Sequence, residues 1–245
     1  MLYFLEKGEF MSSAAVVRSF IEKCPTGRIF TYDDLICDKA AAAIELSRLY
    51  KKGAIQKLTR GRFYKAAQGF FGPIRPSDQK IIQAYQKSAQ GYETGLMAYN
   101  RLGLTTQVPS VIEIATTMEP RVIMIGKTKI KLVKLRGSPK DTNIQLFQIL
   151  DALRQIKKIP DTTPSEVLIN LKVAITQLSH TEKKELSRLV LDFTPRTRAF
   201  IGAILEELDY KKYTNTIKQS LNTTTTFRLG IKKGVLKYGR DWNIL

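Results

Sequence analysis

The chain has 245 residues, with 40 Lys and Arg against 22 Asp and Glu and a formal charge of +18. At 43% hydrophobic residues it can build cores, so disorder is excluded as the default state. No apolar run approaches the roughly 20 residues that a bilayer-spanning helix needs. The charge excess describes partners rather than fold, and favours a polyanion, most simply nucleic acid.

Residues 1–11 lack the basic n-region and small-residue cleavage site of a signal peptide, and both Met1 and Met11 read as candidate starts. Residues 13–23 place Val16, Val17, Phe20 and Ile21 on one helical face, and Cys24-Pro25-Thr26-Gly27 ends that helix. Ile29 and Phe30 read as a short extended segment. Thr31 and Asp34 have capping-box spacing for a second, short helix ending near Cys37. Asp38 caps a third helix, 39–52, with Ala42, Leu46 and Leu49 as its inner stripe and Gly53 as its stop. Ile55–Leu58 and Arg62–Lys65 read as strands around Thr59-Arg60-Gly61. This order predicts a winged helix-turn-helix over residues 12–66.

Residues 67–76 hold Gly69, Gly72, Pro73 and Pro76 and read as a linker. A central α+β unit is expected over 77–140. It has a helix from Ser77 to about Lys87, a helix over 93–102 closed by Gly103, a strand at Val111–Thr117, and a hairpin of Arg121–Ile125 with Lys129–Leu135. Residues 141–245 read as mainly helical and packed with the central unit. Thr163-Pro164-Ser165-Glu166, Ser179 with Glu182, and Thr194-Pro195 are helix starts. The tail Phe227–Tyr238 alternates as a last hairpin around Lys233-Gly234. The fold class is therefore α+β, with a winged helix-turn-helix in front and a mainly helical region ending in a β-hairpin.

Residues 51–65 carry six basic side chains and no acid, the composition of a recognition helix running into a basic wing. Lys39, Arg48, Lys51, Lys52, Lys57, Arg60, Arg62 and Lys65 are the candidate DNA contacts. Arg60 and Arg62, at the wing tip, suit phosphate or a narrow minor groove. The start of the recognition helix offers only Lys39 and four alanines, so direct readout should be thin, with methyl contacts from alanine and Ile44 to thymine. Ile44 reads equally as core; the alternative for the winged helix is protein docking, for which a wing need not be so charged.

A second basic stretch, 121–140, also lacks acids. Lys127, Lys129 and Lys131 share one strand face, either extending the DNA track, meeting an acidic or RNA-bound partner or guarding a sheet edge. Gly126-Lys127-Thr128 imitates a phosphate loop but lacks the upstream glycine and the following helix. Cys24 and Cys37 read as small core residues, and with one histidine, His180, there is no zinc framework. Ser179-His180-Thr181 reads as a helix cap. Asp33-Asp34 and Glu206-Glu207 are adjacent pairs whose side chains diverge. No catalytic set, cofactor or metal is expected, and two cysteines fit a reducing cytoplasm.

The run Gly91-Tyr92-Glu93-Thr94-Gly95-Leu96-Met97-Ala98-Tyr99-Asn100-Arg101-Leu102-Gly103-Leu104-Thr105-Thr106-Gln107-Val108-Pro109, followed by Ile112–Thr117, resembles the central segment of AbiEi-type antitoxins of type IV toxin–antitoxin systems. Leu46–Gly53 and Arg60-Gly61-Arg62-Phe63-Tyr64 are similar to that family's winged helix. The resemblance covers about residues 13–136. It implies a front domain that binds operator repeats and represses its own operon, and a C-terminal part that counters a nucleotidyltransferase-like toxin. The alternatives are a stand-alone winged-helix regulator and a non-catalytic protein-interaction module. On its residues the Gly91–Pro109 run reads as a fold signature, with Tyr92, Tyr99 and Arg101 as packing or surface residues.

Overall fold

A computed structural model describes residues 2–4, 10–88 and 91–245. The reading of residues 1–11 falls largely outside them. The chain divides into two compact units, Met1–Ser88 with Ile125–Lys127 and Ala89–Met124 with Thr128–Leu245. No helix among the described residues is long and apolar enough to cross a membrane.

In the first unit, β1 (Leu2–Phe4) pairs antiparallel with β2 (Phe10–Ser12). Ser12 Oγ then caps α1 (Ser13–Lys23), accepting from Ala15 N at 3.3 Å. After β3 (Ile29–Thr31) the Thr31/Asp34 box closes a single 3-10 turn, Tyr32–Asp34, instead of the expected helix. Only Leu35 in that segment is buried, so no apolar stripe exists to support further α-helical turns. Asp38 Oδ1 accepts from Ala41 N at 2.9 Å and starts α2 (Lys39–Lys51). β4 (Gln56–Thr59) and β5 (Arg62–Tyr64) follow, and the antiparallel sheet runs β3-β5-β4. This is the predicted winged helix, with a core of Val17, Ile21, Phe30, Leu46, Ile55 and Phe63.

The expected linker is a second hairpin. β6 (Ala67–Gly69) and β7 (Gly72–Ile74) pair antiparallel around Phe70-Phe71. Gly72, at φ 109°, takes a turn conformation that side chains resist. Glycines and prolines that read as chain breakers are here the chemistry of reversal. α3 (Asp78–Ser88) also belongs to this unit rather than to the central one.

The second unit begins with β8 (Tyr92–Thr94) and α4 (Leu96–Arg101), so the helix expected over 93–102 starts late, after Gly95 at φ 70°. β9 (Val111–Thr116), β10 (Arg121–Ile125) and β11 (Thr128–Lys134) complete a sheet of order β10-β11-β9-β8. β9 runs parallel to β11 and antiparallel to β8. Then come α5 (Ile144–Arg154), α6 (Pro164–Gln177), α7 (His180–Leu189), α8 (Pro195–Glu207) and α9 (Asn215–Gln219). The expected caps at Thr163, Ser179 and Thr194 all form. One core joins Tyr92, Tyr99 and Ala115 of the sheet region to Phe147, Leu168 and Phe200 of the helices.

The expected terminal hairpin is absent. Residues 227–245 form an irregular strap with one bridge, Phe227 to Ile244. Phe227 and Leu229 alternate because they are buried in the helical core, while Gly230 and Gly234 at positive φ break the extension. Trp242 closes the strap. A Cβ on Gly202 of α8 would lie 2.2 Å from its ring, and its Nε1 donates to Glu206 Oε2 at 2.7 Å.

Gly202→Ala should therefore destabilise by about 1–3 kcal/mol despite the better helix former, because the ring must leave its seat. The chain has one tryptophan, so a lowered melting temperature should coincide with a red-shifted emission. The capping carboxyls Glu166 and Glu182 are held below the usual range by hydrogen bonds from Thr163 and Ser179. A depressed native pKa contributes stability above the unfolded value, near 4.3, that is lost as pH falls through the native one. Melting curves from pH 7 to 3 should show a shallower acid loss for Glu166→Ala/Glu182→Ala than for the parent chain.

Candidate nucleic-acid interface

α2 turns Ala42, Glu45, Leu46 and Leu49 inward, so Ala40, Ile44, Ser47, Arg48 and Lys51 form the open stripe at helical spacing. Ile44 is 59% exposed, which removes its core reading, and Ile36, in the turn before the helix, is 82% exposed. Lys39 Nζ meets Asp33 Oδ1 at 2.6 Å on the surface. Arg48 leans on Glu45, whose buried carboxylate also receives Arg18 Nε at 2.8 Å. This clasp between α1 and α2 was not foreseen. The Glu45/Arg48 spacing was its one local signal, and Arg18 gave none.

The wing separates its cations into two kinds. Gly61 at φ 76° makes the turn after Arg60, and Arg60, Lys57, Lys51 and Lys52 are exposed. None of these four forms an ion pair among the described residues. Arg62 is 9% exposed, with its guanidinium carbon 4.1 Å from the centroid of the Tyr85 ring of α3. Thr59 Oγ1 lies 3.2 Å from the Tyr85 hydroxyl. Arg62 is thus a stacked structural residue and not a wing-tip contact. Lys65 also leaves the candidate set. Its ammonium donates to the carbonyls of Ile21 and Glu22 at 3.0 and 3.1 Å, closing the C-terminus of α1.

In the second basic stretch, Lys129 and Lys131 alternate with buried Thr128, Ile130 and Leu132 along β11, as expected of one face, and Lys127 sits exposed in the preceding turn. β11 is an inner strand, so these lysines do not guard an edge. The edge next to β11 is β10, which exposes Val122 and Met124. Lys131 Nζ is paired with Glu113 Oε1 at 2.8 Å.

The remaining sequence candidates have structural partners. Burial raises the Cys24 thiol, and Cys37 is half-buried. His180 Nε2 lies 2.8 Å from the Tyr213 hydroxyl. Asp33 pairs with Lys39, Glu206 with Lys211 and Glu207 with Lys172. No cluster of three His, Cys, Asp or Glu suited to a metal ion occurs among the described residues.

The Gly91–Gly103 run is built around a buried carboxylate, Asp151 of α5. Its Oδ2 accepts from Tyr92 OH and Thr94 Oγ1, each at 2.8 Å, and Oδ1 accepts from Arg154 at 3.3 Å. Burial, reinforced by that carboxylate, raises the Tyr92 and Tyr99 phenols, so both keep their protons as donors. A Cβ on Gly91 would meet the Ala115 carbonyl at 2.1 Å. Arg101 pairs with buried Glu93. The run anchors sheet to helix, as a fold signature should.

Residues 16–186 match the model of a family of unknown function, DUF6088, and the chain belongs to that family. The crystal structure of the Rv2827c protein from Mycobacterium tuberculosis aligns at 12% identity over 96% of this chain and 91% of that one, with a TM-score of 0.48. At that score and identity the likeness carries nothing about function. No curated protein matches, and neither match names an antitoxin or a toxin.

The two wing arginines should separate in a stability measurement. Arg62→Ala should lose about 1–3 kcal/mol in denaturant unfolding, through the lost stack on Tyr85 and the packing of its stem. Arg60→Ala should stay within about 0.5 kcal/mol of the parent.

Proposed function

We propose that the chain is a double-stranded-DNA-binding regulator that docks through α2 and the wing. The observation that carries this reading is the set of unpaired exposed cations, Lys51, Lys52, Lys57 and Arg60, flanking an open helix face of small and apolar residues. Phosphate contacts from those cations position the duplex. Ala40 and Ile44 admit close approach and favour thymine methyls, so base discrimination is weak and the backbone contribution dominates. Following the resemblance of residues 13–136, the regulator represses its own operon from paired repeats. Its C-terminal region then counters a nucleotidyltransferase-like toxin. The chain performs no catalysis in this reading.

A second reading rests on Ile36 and Ile44. Two exposed isoleucines beside α2 also suit an apolar protein partner, with the winged helix as an interaction module.

Gel shifts with the chain's own upstream DNA separate the two. With about four phosphates neutralised per subunit, log affinity should fall against log salt with a slope near −4. Lys57→Ala/Arg60→Ala should reduce that slope by about 2 and weaken all duplexes alike. Binding that ignores salt, or an unchanged slope in the double variant, refutes the DNA reading. Rescue of growth against the product of the neighbouring gene tests the antitoxin part.

A further inference from the structure

Phe70 and Phe71 are 97% and 100% exposed at the tip of the β6–β7 hairpin, their rings edge to face at 5.1 Å. Ile74, on the same hairpin, is 54% exposed. Two solvated phenylalanines on a hairpin of three-residue strands bury nothing in the unit that carries them, and an exposed apolar tip of this kind marks a contact site. The chain around it limits the occupant. From Leu46 to Ser77 there are eight basic residues and no acid; Arg48 and Arg75 pair with Glu45 and Asp78 just outside that span, and the exposed Lys51, Lys52, Lys57 and Arg60 leave recognition helix and wing cationic beside the hairpin. A second copy of a chain bearing +18 is repelled by that segment. The occupant must be anionic outside and apolar or aromatic inside.

We propose that the β6–β7 tip is a wedge that inserts phenylalanine between base pairs of the duplex held by α2 and the wing, kinking it. The inference rests on the DNA-binding reading and adds deformation to it. Base steps offer apolar slots between phosphate rails, and architectural proteins open them with Phe, Leu or Ile side chains, kinking the duplex by about 20–90°. Phe70 lies nine positions after Gly61, so the two tips lie at most about 30 Å apart. That is within one turn of a duplex, about 34 Å, so one short site can accept both. A wedge also complements the thin direct readout of α2, because steps that unstack easily are then selected by deformability.

The test uses the full chain, a duplex from its own upstream region with 2-aminopurine placed along it, and end-labelled DNA for energy transfer. The parent should raise 2-aminopurine emission at one step and shorten the end-to-end distance. Phe70→Ala/Phe71→Ala should keep the parent's salt slope, bind about tenfold more weakly, and lose both optical signals. Parent binding without unstacking or bending overturns the wedge and leaves the DNA reading standing. Absence of any duplex binding by the parent overturns both. Tip-dependent binding to phosphatidylserine vesicles, or tip-dependent dimerisation without DNA, combined with unchanged duplex signals in the variant, assigns the phenylalanines elsewhere and also overturns it.

Discussion

Beyond its pairing with β3, the wing is braced by one stack, the Arg62 guanidinium on the ring of Tyr85. β4 is the outer strand of the sheet, joined to it through β5 alone, and its register shifts between Lys57 and Thr59, which bends the strand. Tyr85 holds the wing from both strands: the ring carries Arg62 of β5, and the hydroxyl meets Thr59 of β4. Burying one arginine against a helix leaves the next basic residue, Arg60, projecting from a turn whose geometry is fixed by Gly61. A cation held out by a braced ribbon loses less side-chain and backbone freedom on meeting a phosphate than one on a free loop. The same logic applies across α1 and α2, where the buried Glu45 carboxylate gathers Arg18 and Arg48 and fixes the angle at which α2 presents its open stripe.

The second unit shows the same device around a more deeply buried carboxylate. Asp151 lies in the core at 3% exposure and is tolerated there because Tyr92, Thr94 and Arg154 all donate to it. Removing any donor leaves a buried carboxylate short of partners, so the Tyr-x-Thr pair and the helical aspartate must be kept together. Gly91 and Gly95 accompany them for backbone reasons. The first lets β8 lie against the Ala115 carbonyl, and the second turns the chain at positive φ into α4. The motif that suggested a family resemblance is thus explained by packing, which is why it identifies a fold more readily than an activity.

Much of this was legible along the chain. Caps and breakers act over three or four residues, so Asp38, Thr163, Ser179 and Thr194 could be read as helix starts, and they are. The wing was legible because Gly61 and its flanking strands are contiguous. What escaped depends on contacts between distant positions. Arg62 is 23 positions from Tyr85 and Lys65 more than 40 from Ile21, so nothing local distinguishes them from Arg60. Four adjacent cations that look equivalent in sequence divide into exposed and structural pairs only once the fold exists. The two hairpin errors share one cause. Alternation is equally the mark of a strand and of a strap burying every second residue, and Gly-Pro clusters are equally the mark of a linker and of a tight reversal. Phe227 with Leu229 and Gly69 with Gly72 fell on opposite sides of that ambiguity.

The charge pattern links these observations to function. Electrostatic attraction between exposed groups fades within about 8–10 Å at physiological salt, so a total of +18 matters less than where unpaired cations sit. Among the candidates, Lys39, Arg48 and Lys131 face carboxylates of their own chain, whereas Lys51, Lys52, Lys57 and Arg60 face none among the described residues. Those four are contributed by the end of α2 and by the ribbon it leads into, within ten residues of sequence. A surface that concentrates unpaired cations beside small apolar residues, on elements braced by buried arginine and glutamate, is suited to a stiff polyanion with shallow apolar features along its grooves. A duplex has that form. An acidic protein would meet the cations equally well, but it would draw no advantage from their spacing along a rigid helix and ribbon, and it would leave the alanine-rich start of α2 without a purpose.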